Sequence, residues 1–218
     1  MDKRDQLRSS LEKDRSQRKR GIWHSKAYHR FFEGYTEFRV PNPNGKGYTI
    51  QRVYTGNYYR QDLTKSQRVL LRLLYVVLFL CIVYFFVSCA ILPVLSNSTW
   101  YVALTQAVSI VFLFWTVIAF ISYLPAGQDM TINAYRSSSL ALHTATLGSA
   151  VSLGVVALAT LVFILLNVST EPQVELLCAI KYLAGGLLAL AMNRKEKRVN
   201  YLIIPSQNKP NVNSDEIK

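Results

Sequence analysis

Residues that commonly carry chemistry are sparse in this chain of 218 residues. The three cysteines, Cys81, Cys89 and Cys178, have no CxxC spacing, and no third ligand joins His24 and His29. A separation of five residues would place those two histidines ~140° apart on a helix. Neither set therefore predicts a metal site. The segment around Lys46 lacks the Ser or Thr that follows the lysine of a phosphate-binding loop.

No nucleophile stands at a useful spacing from a general base, so the sequence predicts no catalytic residue, metal or cofactor. We expect a protein without enzymatic activity, and an enzyme ranks third among the classes considered. The two classes ahead of it are an accessory or scaffold subunit and a small transporter or channel subunit.

Lys181 is the one ionisable residue well inside an apolar stretch. It lies five residues, or ~8 Å along a helix, from Leu176. Gln106 and Ser88 fall at a similar depth, and the three residues form a candidate intramembrane polar site. Intramembrane charges often mark a pathway or a partner site. Alternatively, the lysine stem can reach the interface or bond to Gln106, and no acid is expected within the spans to pair with it.

Composition indicates which elements hold these residues. Hydrophobic residues make up 50% of the chain and charged residues only 17%, whereas an average soluble domain carries roughly 25% charge. Between residues 69 and 192 the charged residues are few: Arg72, Asp129, Arg136, Glu171, Glu175 and Lys181. A chain that is apolar in its middle and basic at its ends is typical of a membrane protein.

Four apolar runs are long enough to cross the ~30 Å hydrocarbon layer. We expect an all-α membrane protein, an antiparallel bundle of four transmembrane helices with a small cytoplasmic N-terminal region that contains a β-hairpin. The expected spans are about 69–95, 101–124, 138–166 and 175–192. The bundle is assigned to residues 64–193, flanked by a basic disordered tail (1–20), an aromatic and hairpin region (21–63) and a C-terminal tail (194–218).

Charge predicts the direction of the spans. The chain carries 25 basic and 13 acidic residues, a net charge of +12, and the short loops after the first and third spans have no Lys or Arg. Positive residues stay on the cytoplasmic side. We therefore expect a multi-pass protein of the cell membrane with cytoplasmic N and C termini, and the basic tails favour lipid over nucleic acid.

The segment before the first span alternates polar and apolar residues on both sides of a turn-rich stretch. Tyr35–Val40 and Tyr48–Thr55 flank Pro41–Gly47, and this pattern predicts a β-hairpin. Thr64 and Gln67 have the spacing of a capping box at the start of the first helix. Thr131 is the expected cap of a lead-in to the third helix.

Small residues recur at heptad spacing in the third span and predict a helix-packing face. The fourth span offers a matching seam through Gly185. The residues assigned to this face are Ala141, Ala145, Gly148, Ser152, Ala159 and Gly185.

Basic residues flank the first and fourth spans at the expected height of the lipid headgroups. The predicted contacts are Lys65, Arg68, Arg72, Arg194, Lys195, Lys197 and Arg198. The expected partners are the lipid bilayer, its anionic headgroups, and a membrane protein or a second copy of the chain. The favoured function is a non-catalytic accessory or scaffold subunit that contacts lipid or a protein through its basic cytoplasmic face. The alternative is an oligomeric transporter or channel subunit with a polar layer around Lys181.

Overall fold

The computed structural model describes residues 32–41, 47–166 and 171–206, without the side chains of residues 38–41. The predicted basic tail, most of the hairpin turn and the last twelve residues (207–218) lie outside the described residues. From Gly34 onwards the described residues belong to one unit, and the account below concerns that unit.

The first long helix, α1 (Lys65–Ala90), begins at the predicted capping box. Thr64 Oγ1 accepts from the Gln67 amide at 3.3 Å, and Gln67 Oε1 accepts from the Thr64 amide at 3.0 Å. These bonds satisfy backbone donors that the first helical turn leaves free. The helix ends shortly before Pro93, whose ring cannot continue it. A short α2 (Leu95–Ser98) then leads into α3 (Trp100–Tyr123).

The third long helical segment is not regular. It begins with α4 (Ile132–Tyr135), where Thr131 Oγ1 accepts from the Ala134 amide as predicted. A π-helical segment (Arg136–Leu140) follows, and α5 (Ala141–Leu166) continues from it. The last helix, α6 (Pro172–Lys197), starts with a proline in its first turn and extends beyond the predicted span at both ends.

Four helical segments are long and apolar enough to cross a membrane: Lys65–Ala90, Trp100–Tyr123, Ile132–Leu166 and Pro172–Lys197. The structure is thus mostly helical and consistent with a multi-pass membrane protein. The first half of α1, the end of α3, the π segment and the end of α6 meet through hydrogen bonds at one end. Successive long helices therefore alternate in direction. We call this the basic end and the other the far end.

Two apolar clusters fill the interior. Toward the far end, Ile82, Leu153 and Tyr182 are buried together, and toward the basic end Tyr75 packs with Phe120 and their neighbours. The most extensive packing joins α5 to α6, followed by α5 with α3 and α1 with α6. Removal of these side chains from solvent stabilises the interior by roughly 1.5–3 kcal/mol for each large residue in soluble proteins. In lipid the corresponding gain comes from close packing.

The small residues of α5 contact two neighbouring helices, α3 and α6. A Cβ added at Gly148 would overlap the Phe112 ring of α3, whereas one at Gly186 of α6 would lie 3.2 Å from the Ala150 carbonyl oxygen and 3.6 Å from Gly154 N. Gly185 instead faces Leu153 and the backbone of α1. The small-residue face around Gly148 therefore packs on α3. A different side of α5, which includes Ala150 and Gly154, packs on α6.

The predicted hairpin is present as β1 (Tyr35–Pro41) paired antiparallel with β2 (Tyr48–Tyr54), with Tyr35 opposite Tyr54. A second sheet was not predicted. Its middle strand β3 (Tyr58–Gln61) pairs antiparallel with both β4 (Asp129–Met130) and β5 (Tyr201–Ile204). This sheet joins three distant parts of the chain at the basic end, and β5 lies in what the sequence predicts to be a tail.

Candidate functional site

The most connected polar group in the described structure is the carboxylate of Glu196, which is only 3% exposed. Its Oε2 atom accepts from the hydroxyls of Tyr75 at 3.0 Å and Tyr123 at 3.2 Å. Its Oε1 atom accepts from Ser139 at 2.5 Å and Tyr201 at 2.8 Å. The number of hydroxyl donors thus matches the roughly four lone-pair sites that a carboxylate offers. We call these five residues the Glu196 centre.

Each member of the Glu196 centre comes from a different element. Tyr75 lies on α1, Tyr123 ends α3, Ser139 lies in the π segment, Glu196 lies in the last turn of α6, and Tyr201 begins β5. The π segment matters because its wider turn changes which side chains face inward, and both Ser138 and Ser139 are buried there. Single π turns are frequent at functional positions in helices. The centre therefore fastens three helices and a strand at the basic end.

Tyr201 is held from two further sides. Gln61 Nε2 donates to its hydroxyl at 3.1 Å, and the Tyr135 ring meets its ring edge-on with centroids 4.9 Å apart. Tyr135 in turn stacks on Tyr59 of β3, with centroids 4.7 Å apart. Burial, followed by the negative charge of Glu196, raises the pKa of Tyr201. The hydroxyl therefore remains a neutral donor to the carboxylate across the ordinary pH range.

This arrangement favours a structural role for Glu196. A general base or a metal ligand needs a lone pair that is open to a substrate or an ion, and here hydroxyl donors hold both oxygens. Among the described residues, no group of three His, Cys, Asp or Glu side chains is placed to hold a metal ion.

Sequence reasoning missed Glu196 because it lies in the basic run 194–198. A signal was nevertheless available. The buried face of α6 passes through Gly185, Ala189 and Met192 at spacings of four and three, and one further step of four reaches Glu196. Three steps in the other direction, through Tyr182 and Cys178, reach Glu175, which is 1% exposed.

Both glutamates lie within α6 and are buried. Glu175 is the first residue of the predicted fourth span (175–192) and corrects the expectation that the spans contain no acid, whereas Glu196 lies four residues beyond that span. Glu196 is fully hydrogen-bonded, whereas Glu175 Oε2 has no hydrogen-bond partner among the described residues. A buried polar atom without a partner costs roughly 1–3 kcal/mol. The far end of α6 therefore contains a buried acid with at least one unpartnered oxygen.

At the far end, the three residues of the predicted polar site take part in two separate sets of contacts. Lys181 Nζ donates to Ser88 Oγ at 3.4 Å, a long hydrogen bond between α6 and α1. Gln106 Nε2 donates instead to Asn97 Oδ1 at 2.7 Å and to the hydroxyl of Tyr182 at 3.0 Å. The sequence predicts Lys181 and Gln106 at a similar depth. The Gln106 side chain, however, bonds to Tyr182, the residue that follows Lys181 on α6.

Two of the predicted lipid-contacting arginines are engaged within the protein. Arg68 donates to Gln128 Oε1 at 3.0 Å, and Arg72 donates to the Ala126 carbonyl. Both therefore fasten α1 to the segment between α3 and β4, and both side chains are half-buried. Their contact with lipid headgroups stays a prediction, and Lys65, the third residue of the predicted basic stripe on α1, is exposed. At the end of α6 the exposed basic residues are Arg194, Lys195, Lys197 and Arg198.

An amphipathic groove adjoins these α6 residues. It encloses about 430 Å³ between the start of α1 and the end of α6. Leu70, Leu71 and Leu74 form its apolar wall, and Lys195 and Arg198 contribute positive charge. Asp62 and Gln67 also line it. We call it the α1–α6 groove.

The β1–β2 hairpin is attached to the helices through Tyr54. Its hydroxyl donates to the Asn57 carbonyl at 2.7 Å and accepts from the Ile132 amide at 3.0 Å. Burial raises the pKa of Tyr54, which favours the neutral hydroxyl. In the second sheet, Arg60 forms two hydrogen bonds with Asp129, at 2.5 and 2.9 Å, and this pairing lowers the pKa of the Asp129 carboxyl.

No protein-family model matches the chain, and no curated protein or solved structure shows detectable similarity to it.

Proposed function

We propose that this chain is a non-catalytic, multi-pass protein of the cell membrane that serves as an accessory or scaffold subunit. Its basic end would face the cytoplasm and contact anionic lipid headgroups or a protein partner. The observation that carries this proposal is the juxtaposition of exposed Lys195 and Arg198 with the leucine wall of the α1–α6 groove. Basic side chains beside an apolar surface suit the boundary between headgroups and acyl chains.

The orientation follows from charge. The exposed basic residues at the end of α6 and the basic N-terminal segment belong on the cytoplasmic side under the positive-inside rule. The last turn of α6 carries Arg194, Lys195 and Lys197. Cations at this position also complement the negative end of the helix dipole. The same residues would thus serve topology, helix stability and lipid contact.

The Glu196 centre supports a scaffold more than a moving carrier. It connects α1, α3, the π segment, α6 and β5 through buried hydrogen bonds. Separation of these elements would leave a carboxylate and several hydroxyls without partners, at a cost of several kcal/mol. A basic end held in one arrangement presents a fixed surface, as a binding platform requires.

Reconstitution tests the lipid part of the proposal. The full chain is placed in nanodiscs of phosphatidylcholine alone or with added phosphatidylglycerol, and its thermal unfolding is followed. We expect the anionic lipid to raise the unfolding temperature, and the increase to shrink at high salt because surface charges are screened. Replacing Arg194, Lys195, Lys197 and Arg198 with Gln should remove the increase. An unfolding temperature insensitive to lipid charge would refute the proposal, and affinity purification in mild detergent would identify a protein partner.

Transport is the second candidate, and one observation favours it. Lys181 and Glu175 lie on the same helix near the far end, and Glu175 is buried with an unpartnered oxygen. Buried charges within spans often mark a solute or proton pathway. Against this, Lys181 already donates to Ser88 and its neighbour Tyr182 accepts from Gln106. The substitution of Lys181 described in the Discussion separates the two candidates.

A further inference from the structure

Along the helix axis, the lining of the α1–α6 groove changes from charged to apolar. Leu70 and Leu74 lie in the second and third turns of α1 and are 69% and 40% exposed. Lys195 and Arg198 lie at the last turn and C-cap of α6, where the helices end. The groove is thus charged at the basic end and apolar further toward the middle of the bundle. A glycerophospholipid has the same order, with a charged headgroup above its acyl chains.

The apolar wall continues along α1. Beyond Leu74, Val77 lies on the same side of the helix, and its side chain is 57% exposed. An acyl chain that starts beside Leu70 would therefore meet further apolar surface beyond Leu74. A free phosphate or a nucleotide would leave this wall uncovered, so the continuity favours a lipid.

The polar rim contains both signs of charge. Lys195 and Arg198 provide an ammonium and a guanidinium, and an arginine can bind a phosphate through two hydrogen bonds. Gln67 uses its Oε1 atom in the capping box, so its Nε2 atom is available as a further donor. Asp62 also lines the groove and is exposed. Within the described residues none of these three charged side chains takes part in an ion pair.

The carboxylate of Asp62 would repel a headgroup that is only negative. It would attract a headgroup in which an ammonium follows the phosphate. A primary ammonium offers three hydrogen-bond donors to a carboxylate, whereas the quaternary ammonium of choline offers none. A rim of this composition would discriminate between headgroups by both charge and hydrogen bonding.

We propose that the α1–α6 groove binds one glycerophospholipid whose headgroup carries a primary amine. Lys195 and Arg198 hold the phosphate, Asp62 holds the ammonium, and an acyl chain lies along Leu70 and Leu74. The two natural sources of this chemistry are phosphoethanolamine and phosphoserine headgroups, and phosphoethanolamine should bind more tightly because the extra carboxylate of phosphoserine would approach Asp62. This inference rests on the proposed function, in which the basic end lies at the membrane surface.

Native mass spectrometry of the full chain in detergent tests the site. Phosphatidylethanolamine, phosphatidylserine, phosphatidylcholine and phosphatidylglycerol with identical acyl chains are added separately. We expect one phosphatidylethanolamine molecule to be retained per chain, with phosphatidylcholine and phosphatidylglycerol bound about tenfold more weakly, the equivalent of one charge-assisted hydrogen bond or ion pair. Phosphatidylserine should be intermediate.

Substitutions in the groove test which side chain contacts which part of the headgroup. Lys195→Gln with Arg198→Gln should reduce retention of every lipid, whereas Asp62→Asn should abolish the preference for phosphatidylethanolamine over both phosphatidylcholine and phosphatidylglycerol. Asp62 contributes its backbone amide to a bond with Asn200, which the Asn variant keeps. The control is Arg52→Gln, which removes an exposed positive charge on β2, outside the lining of the groove, and should leave retention unchanged.

Equal retention of phosphatidylcholine and phosphatidylethanolamine by the wild-type chain would overturn the site, as would an unchanged preference in Asp62→Asn. The nanodisc experiment above separates this failure from a failure of the proposed function. If the unfolding temperature still depends on anionic lipid, the specific site is wrong and the general lipid contact stands. If neither lipid effect is observed, both proposals fail.

Discussion

The hydroxyl of Tyr75 donates a 3.0 Å hydrogen bond to the carboxylate of Glu196, 121 residues further along the chain. This bond joins the first long helix to the last at the basic end. The same oxygen accepts from Tyr123, so one atom connects α1, α3 and α6. Because both partners are almost fully buried, breaking the bond exposes neither group to water unless the helices move apart.

Glu196→Ala should destabilise the fold strongly. The change leaves the hydroxyls of Tyr75, Tyr123 and Ser139 without their acceptor, and we expect a loss of about 3 kcal/mol or more. Glu196→Gln keeps one carbonyl oxygen and should cost less. Thermal unfolding in detergent is the measurement, and Lys197→Ala at an exposed neighbouring position is the control. Equal unfolding temperatures for Glu196→Ala and the control would mean that the Glu196 centre adds no stability.

Stability should fall at alkaline pH partly through Tyr201. Its folded-state pKa is raised above the unfolded value of about 10. The protonated hydroxyl therefore contributes stability that is fully present below pH ~10 and is lost as the pH rises above that value. Tyr201→Phe lacks this ionisable group, so its unfolding temperature should decline less than that of the wild type between pH ~9 and ~11. Parallel pH profiles would argue against the assigned environment of Tyr201.

Two glycines of α5 should respond oppositely to alanine. A Cβ at Gly148 would overlap the Phe112 ring, whereas one at Gly154 meets nothing within 4 Å. Gly148→Ala should therefore destabilise the fold, and Gly148→Leu should cost about 1–3 kcal/mol or more. Gly154→Ala should be neutral or stabilising by up to about 1 kcal/mol, because alanine favours helix. Unfolding temperatures of the pair test the α3–α5 packing, and the reverse ranking would contradict it.

Topology is checked by thiol labelling in intact cells. After replacement of the three native cysteines, single cysteines are introduced at Ser98, Thr170 and Asn211. An impermeant reagent should label the first two positions and not the third, because the exposed positive charge lies at the other end of the helices. Permeabilised cells provide the control for reactivity at Asn211. Labelling in the opposite pattern would reverse the proposed orientation.

Lys181→Met distinguishes the scaffold from the transporter. If the ammonium only donates to Ser88 near the far end, Met should preserve expression and leave stability equal or higher, because a charge is removed from the span. If it binds a solute or a partner carboxylate, Met should abolish activity in cells without loss of folding, and Arg should restore part of it. We expect the first result. Growth or uptake is measured beside thermal stability, with Ser88→Ala as the matched change on α1.

The amino-acid sequence alone determined the local features of this protein. Apolar runs with few charges require four long helices, since each helix satisfies its own backbone hydrogen bonds. The pairing of Thr64 with Gln67 and the cap at Thr131 depend on residues three positions apart, so spacing was sufficient to predict them. The β1–β2 hairpin was likewise visible, because its two strands are adjacent in sequence and separated by turn-forming residues.

Tertiary structure decided the partners across the bundle. The spacing along α6 indicates that Glu196 lies on the buried face of that helix, but only the tertiary structure identifies its four donors, Tyr75, Tyr123, Ser139 and Tyr201. Similarly, only the rotation of α1 and α5 determines that Arg72 faces Ala126 and that Gly148 meets Phe112. Hydrophobic periodicity fixes which residues share one face of a helix, but the relative rotation and axial position of two helices depend on all the packed side chains together. Contacts between residues on different helices were therefore settled by packing.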